Sequence, residues 1–439
     1  MAAGCLLVGL LAPATAAAHG RFPQAGQIVV DPSDDGRVWV RTTYGIVTTD
    51  DHGGEWRWIC PEGVGFDGDK EDPPLVLTRS GAALVGTFDG LSRAADRCDF
   101  TLAGGALEGR YVIDLLAEPS ADDHAIALTS NGLANDVFEV HLWGTSDEGA
   151  TFSEVGTSPP QDFLALTLGL AKSDVDRIYV SGRDGTAGVY AGALMRSDDR
   201  GQTWTRYAVP GTDGAAALPY LGGVDPDDPD RLYVATIQEE LGETVAFELL
   251  VSEDGGATFT TIFQRSEAMS GFALSPDGAT IAVGGPQAGL WLASRSDYAF
   301  AKVNEVHIRC LTWTAQGLYA CTDQFVDGYN VGVSTDEGQT FAALSQLSSP
   351  CGPPSTCAKD SSVGKTCPAA WPQERAELMA TDCDAAGGGG AGEGGGGAGG
   401  EGTSGGCGCR LAAPREGTPA WLSALGLLAA LPVLRRRRR

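Results

Sequence analysis

The sequence predicts an all-β fold: a seven-bladed β-propeller followed by a small disulfide-rich C-terminal cap, a Gly-rich linker and a short C-terminal hydrophobic helix. Three observations predict it. One turn motif, Ser/Thr-x-Asp-x-Gly-x-Thr-aromatic, recurs at near-regular intervals. Short apolar strands separated by Asp, Pro and Gly precede each copy, as hairpins require. No helical period interrupts them before residue 347.

The five copies are Thr49-x-Asp51-x-Gly53-x-Glu55-Trp56, Thr145-x-Asp147-x-Gly149-x-Thr151-Phe152, Ser197-x-Asp199-x-Gly201-x-Thr203-Trp204, Ser252-x-Asp254-x-Gly256-x-Thr258-Phe259 and Ser334-x-Asp336-x-Gly338-x-Thr340-Phe341. Two of the intervals are nearly double the others. Each double interval holds a degenerate copy that has lost its Gly, around Asp96 with Phe100 and around Asp297 with Phe300. Counting them gives seven blades, spanning 24–60, 74–103, 110–156, 162–209, 217–264, 269–304 and 306–345. Pairs such as Ile28-Val29-Val30-Asp31-Pro32 with Val38-Trp39-Val40, and Gly223-Val224-Asp225-Pro226 with Leu232-Tyr233-Val234, supply the strands before the motif.

The chemistry of the motif is structural. An Asp carboxylate accepts hydrogen bonds from the amides of a turn, Gly takes the left-handed backbone position, and the aromatic opens the next strand. The motif is therefore expected between the two outer strands of a blade. It resembles the Asp-box, or BNR repeat, of sialidases, sortilin-type receptors and related propellers. That resemblance implies a propeller, with Asp51, Asp147, Asp199, Asp254 and Asp336 in structural roles.

The N-terminus is expected to be a signal peptide over residues 1–18. Cys5 to Ala12 form a short apolar run, and small residues at Ala14, Ala16 and Ala18 suit cleavage. The propeller is expected over 19–347, the cap over 348–385, the linker over 386–406 and a sorting signal over 407–439. The chain carries a formal net charge of −27, which excludes the basic face that nucleic acid needs. Acidity serves solubility and no cofactor is expected; Ca²⁺ is the second reading of the scattered Asp residues. Asp31-x-Ser33-x-Asp35-Gly36 has the start of a Ca²⁺ loop, but Thr42 stands where the bidentate acid belongs.

Eleven cysteines in an exported chain favour disulfides. Cys310 is expected to pair with Cys321 across a hairpin, and Cys60 with Cys98 between the first two blades. Cys351, Cys357, Cys367 and Cys383 staple the cap. Their spacing does not suit the rival, a four-thiolate zinc site. A short helix is expected from Pro372 to Ala380.

After the Gly-rich linker come Cys407 and Cys409, an apolar run from Trp421 to Leu434, and five terminal Arg. The Arg cluster orients the run with its Cys side outward. These three parts in order resemble the MYXO-CTERM sorting signal. The resemblance implies a myxosortase-type processing protease, lipidation near Cys407 and Cys409, and a cell-surface or outer-membrane location after a transient inner-membrane stage. A plain tail anchor is the alternative.

No catalytic motif is present: there is no His-Glu-x-x-His, no Gly-x-Ser-x-Gly and no phosphate loop. His19, His52, His124, His141 and His307 are scattered. The expectation is a surface-anchored module binding an extracellular glycan, wall polymer or surface protein, with loop aromatics such as Phe163 and Tyr220 at the contact. The alternative is an exo-acting glycoside hydrolase of the sialidase type. For it, Arg21 in Arg21-Phe22-Pro23 is the catalytic candidate as a carboxylate clamp, with Arg183 and Arg309 on later blades, but no Tyr–Glu pair accompanies them. Paired-carboxylate enzymes of the xyloglucanase type use two propellers in tandem, and this chain has one.

Overall fold

A computed structural model describes residues 21–383, apart from 120, 122, 134–135, 187–188, 215–216 and 241–242. The expected signal segment, the Gly-rich linker, Cys407, Cys409 and the terminal hydrophobic run lie outside the described residues. Seven four-stranded antiparallel sheets occupy 25–59, 75–102, 112–154, 163–208, 217–265, 271–304 and 310–345, numbered blades 1 to 7. These follow the seven spans expected from the turn spacing. Among the described residues no helix is long and apolar enough to cross a membrane.

Burial explains why these segments are strands. The second and third strands of blade 1, Val38–Thr42 and Gly45–Thr49, are buried at every position because neighbouring blades cover both faces. Outer strands such as Thr101–Leu102 and Thr205–Ala208 are solvent-facing, whereas that of blade 1, Arg57–Ile59, is largely buried. The core thus lies between blades; Leu84 and Leu91 of blade 2 meet Val112, Leu115 and Trp143 of blade 3.

Each of the five full turn motifs joins the third and fourth strands of its blade; four are wired alike, and the first, with Glu55 in place of Thr, keeps the amide bond to Asp51 without the hydroxyl bond. In blade 3, Thr151 donates its amide to Asp147 Oδ1 at 2.9 Å and its hydroxyl to Oδ2 at 2.6 Å. Thr145 Oγ1 donates to Asp147 Oδ1 at 2.8 Å and accepts from the Gly149 amide at 2.9 Å. The turn also packs on the preceding blade. A Cβ on Gly149 (φ 81°) would lie 2.4 Å from Leu84, and one on Gly256 (φ 95°) 2.4 Å from Leu194. Gly is thus required twice over, by the backbone angle and by the neighbouring blade. The degenerate turns also join third and fourth strands but are wired differently. Asp96 accepts from the amides of Cys98 and Asp99, and Asp297 from that of Ala299.

Ion pairs add further links between blades on the turn-bearing face. Arg200 of blade 4 meets Glu118 beside blade 3 at 2.6 Å, and Arg177 meets Asp230 at 2.6 Å. Arg295 grips the fully buried Asp225 carboxylate with contacts of 3.0 and 2.8 Å. Arg97 and Asp50 pair across blades 1 and 2.

Every blade uses four consecutive strands, so no strand is exchanged between the two ends of the ring. The cap does the closing. After blade 7 the chain lies along the outer strand of blade 1, Arg57–Ile59: Trp56 bridges Pro350, and the Trp58 amide donates to Gly352 O at 2.9 Å. Cys357 then bonds to Cys98 on blade 2, and Cys367 to Cys60 at the end of blade 1. Cys351–Cys383 ties the segment to itself. Cys310–Cys321 links facing positions of the blade 7 hairpin, as expected.

Two expectations are corrected here. Cys60 and Cys98 do not pair with each other; each reaches instead for the segment that crosses them both. The cap helix runs from Ser362 to Leu378 (helix α3), starting ten residues earlier than the expected Pro372. Ser361 caps it by accepting from the Gly364 amide, and Val363, Cys367, Trp371 and Leu378 form its buried face. That packing outweighs the cost of Pro368 and Pro372 inside the helix. With all four cap cysteines in disulfides, no thiolate is left among them for zinc.

Candidate functional site

The inner strands of the blades surround a central channel. A cavity of about 390 Å³ occupies it. Its lining includes Lys70 to Pro74 and Met269–Ser270 from blade connections and Phe88 from a second-to-third-strand turn. It therefore opens on the face opposite the repeat turns.

A belt of bonds fixes the channel wall. Gln27 exchanges two hydrogen bonds with the Leu75 backbone, at 2.8 and 3.0 Å, tying blade 1 to blade 2. Thr167 accepts from the Leu221 amide at 2.8 Å, tying blade 4 to blade 5. Ser270 donates to Ile308 O at 2.9 Å, and Thr312 to Ile28 O at 2.8 Å, which completes the contact from blade 7 to blade 1. Asp114 fills the same place in blade 3: its Oδ2 accepts from the Leu168 amide at 2.7 Å and its Oδ1 from Leu115 at 2.8 Å. A carboxylate thus does what a threonine hydroxyl does one blade later.

The wall is mostly apolar, with Ile113, Leu164, Leu166, Ile237, Phe247 and Phe272 among its residues. This environment shifts its acids. Burial pushes the Asp114 carboxyl up to about 6. Burial also raises Glu71, against the amides of Asp67 and Phe88 that it accepts at 2.9 and 2.8 Å. Tyr111, in edge-to-face contact with Phe88 at 4.5 Å, is raised by burial and by the nearby Glu71 and Asp72. Asp72 is different: Arg21 binds its Oδ2 at 2.5 Å and Arg41 its Oδ1 at 2.6 Å. Ser130 lines the cavity, and its buried hydroxyl has no hydrogen-bond partner among the described residues.

Local sequence explains the acidic edge. Asp67 opens a turn that its backbone closes with Glu71 at 2.8 Å, and Pro73–Pro74 then force an extended path into blade 2. The segment starts at Cys60 with helix α1 (Pro61–Val64), so the Cys60–Cys367 disulfide holds its root.

The residues singled out in the sequence fall elsewhere. Arg21 is committed to Asp72 and to the carbonyls of Gly68 and Glu71. Arg183 stacks on Tyr190 at 4.0 Å, and Arg309 pairs with Asp323 at 2.8 Å. These three arginines serve three separate partners and form no common clamp. Phe163 is a correction: it lies fully buried in the core and offers no contact surface. Tyr220 lines the cavity from an inner strand, where a loop position was expected. The repeat-turn carboxylates are held by their own turns. Hydrogen bonds from Thr151 lower Asp147 to about 2, and those from Thr340 lower Asp336 to about 2. Asp31 is likewise engaged by Ser33 and Arg37. Among the described residues the single cluster with metal-ligand spacing is Glu55, Cys351 and Cys383, and its two sulfurs are joined to each other.

Glu71, Asp114, Ser130 and Tyr111 were missed. One sequence signal was available: Asp114 interrupts the apolar run Val112-Ile113-Asp114-Leu115-Leu116. A charge on an inner strand is worth a functional or structural question.

No protein-family model matches the chain, and no curated protein does. Among solved structures it is similar to an ancestral GH74 enzyme, at 14% identity and a TM-score of 0.56, over 74% of this chain and 46% of that one. The chain thus spans about half the length of that enzyme. Two further matches are a Niastella koreensis GH74 enzyme (14% identity, TM-score 0.41, covering 74% and 72%) and a GH74 xyloglucanase from Xanthomonas campestris (15%, 0.36, covering 75% and 65%). At these identities the first likeness supports the propeller fold alone, and the lower scores add nothing to it.

The Asp114 shift predicts a pH effect on stability. Its folded-state value, about 6, is raised above the ordinary 3.8, so ionisation opposes folding. That penalty is absent below the ordinary value, grows as pH rises from there and is complete above about 6. Asp114→Asn, which keeps an acceptor for Leu168, should therefore stabilise the chain at pH 8 by on the order of 2 kcal/mol and leave it unchanged at pH 3.5. Urea unfolding at both pH values measures this; equal effects at both would contradict it.

Proposed function

We propose that the chain is an extracellular recognition module that takes part of its ligand into the central cavity. The observation that carries this is the cavity itself, an apolar, aromatic-lined space with a few placed polar groups. A glycan or surface protein would reach it with a terminal or projecting group, because a polymer backbone is too large for it. The same face carries exposed apolar side chains, Phe22, Phe325 and Val326, with the first two rings 5.1 Å apart. Such a patch suits contact with the rest of a large ligand.

The recurring turn motif supports kinship with Asp-box propellers, and the four disulfides among the described residues fit an oxidising compartment. With the leader-like start and the Cys, apolar and Arg tail, this favours an exported protein processed by a myxosortase-type protease and held at the cell surface. Ca²⁺ has no support from the arrangement of the turn carboxylates.

A second function, glycoside hydrolysis, is favoured by one observation: the cavity holds two carboxyls raised by burial, Glu71 and Asp114, and an acid near 6 suits proton donation.

The full chain should be retained on arrays of glycans and secreted proteins. Ala235→Phe, which fills the cavity, should abolish that retention. Retention unchanged by this substitution would contradict the proposal. Turnover of aryl glycosides that Asp114→Asn removes would establish the enzyme instead. For the tail, Cys407→Ala with Cys409→Ala should leave an uncut inner-membrane form; fractionation showing both forms alike at the surface would refute sorting.

A further inference from the structure

Charge does not balance in the cavity wall. Asp72 is matched by Arg21 and Arg41. Lys70 is turned to Asp67 at 2.5 Å. Glu71 and Asp114 accept only backbone amides in this structure, two each. Two carboxylates in apolar surroundings, with no cation paired to them among the described residues, are costly, since two amides each replace only part of the water that burial removes. Rings share the lining: Phe88, whose amide Glu71 accepts, lies edge to face with Tyr111, and Tyr220 and Phe272 line the same cavity. Aromatic faces attract cations, most strongly where water is excluded. A second, independent feature is Ser130, a lining residue only 2% exposed, whose buried hydroxyl has no hydrogen-bond partner among the described residues. A buried hydroxyl left unpaired calls for a ligand group to pair it.

We infer that the cavity is a site for a compact organic cation. A substituted ammonium group faces Asp114, an apolar body lies along Leu164, Leu166 and Ile237, and a hydroxyl or amide meets Ser130. The inference rests on the cavity being the binding site and adds the chemical class of its occupant. The strongly acidic chain, with a net charge of −27, favours approach of a cation over an anion. The ammonium could belong to a free small molecule or project from a polymer; small probes test the shared chemistry.

Affinity for such a cation follows the ionisation of Asp114. The other ionisable groups on the cavity are Arg41, Lys70, Glu71, Asp72, Tyr111 and Tyr220. The arginine and lysine stay charged and the tyrosines, raised by burial, stay neutral between pH 5 and 8. Asp72 is bound by Arg21 and Arg41, and burial raises Glu71 in the same direction as Asp114. Acidification should therefore weaken binding as pH falls through about 6.

Calorimetric titration of the full chain with benzyldimethyl(2-hydroxyethyl)ammonium, benzyl alcohol and benzoate tests this. At pH 8 the ammonium should bind at least about tenfold more tightly than either other probe, and most of that margin should vanish at pH 5. Asp114→Asn should weaken ammonium binding about tenfold at pH 8 and flatten its pH dependence. Ser130→Ala should weaken it severalfold without changing that dependence. Benzyl alcohol or benzoate binding as tightly as the ammonium, or ammonium affinity unaffected by Asp114→Asn, would overturn the inference. So would failure of all three probes. If array retention still depends on Ala235→Phe in those cases, the cavity remains the recognition site and only the class of occupant is wrong. If retention is also insensitive to Ala235→Phe, both fail.

Discussion

A ring of packed blades must be held shut where its two ends meet. Many contacts of this chain are nearest-neighbour contacts, repeated from blade to blade: a turn glycine against a leucine, an arginine against a carboxylate, an inner-strand side chain against the next backbone. These hold neighbours together but leave the junction of blades 7 and 1 with no shared strand. The segment after blade 7 supplies what the repeat does not. It lies along the outer strand of blade 1, crosses to blade 2 and is locked at both by disulfides. Each bridge closes a loop of more than two hundred residues, with separations of 307 and 259, so each removes much freedom from the unfolded chain.

The same lock reaches the cavity. Cys60 begins the connection that carries Glu71 and Asp72, and helix α1 of that connection rests against helix α3. Trp371 of α3 leans on Trp58 with ring centroids 5.6 Å apart. One wall of the cavity is thus built on the closure, while the others are built on inner strands. Where the belt uses Gln27 and Thr167, the neutral side chains complete the wall. Where it uses Asp114, a charge is placed against apolar neighbours, and the channel gains chemistry beyond packing.

Much of the ring was legible in the sequence because its signals are local. A turn that needs an acceptor at Asp254, a left-handed backbone at Gly256 and an aromatic at Phe259 is written within eight residues, and its spacing gives the blade count. The Cys310–Cys321 pair was legible for the same reason, since one tight hairpin sets their register. What was not legible depends on distant parts of the chain. Nothing near Cys60 says that Cys367 will cross it. Nothing near Pro368 says that a buried face of Val363, Trp371 and Leu378 will carry a helix through two prolines. The cavity acids are a third case: Glu71 sits in a connection and gains meaning only when seven inner strands converge. Phe163 was misplaced because an aromatic at a loop edge reads like a contact residue, whereas the strand beginning there buries it.

Closure by the C-terminal segment is tested most directly by hydrogen exchange, comparing the native chain with a Cys60→Ser, Cys367→Ser variant. Loss of this bridge should free the junction first. Amides of Arg57–Ile59 and of Val331–Ser334 are expected to lose protection well before those of Ile178–Thr186 in blade 4. Protection that falls equally in all blades, or that does not fall at the junction, would contradict the account.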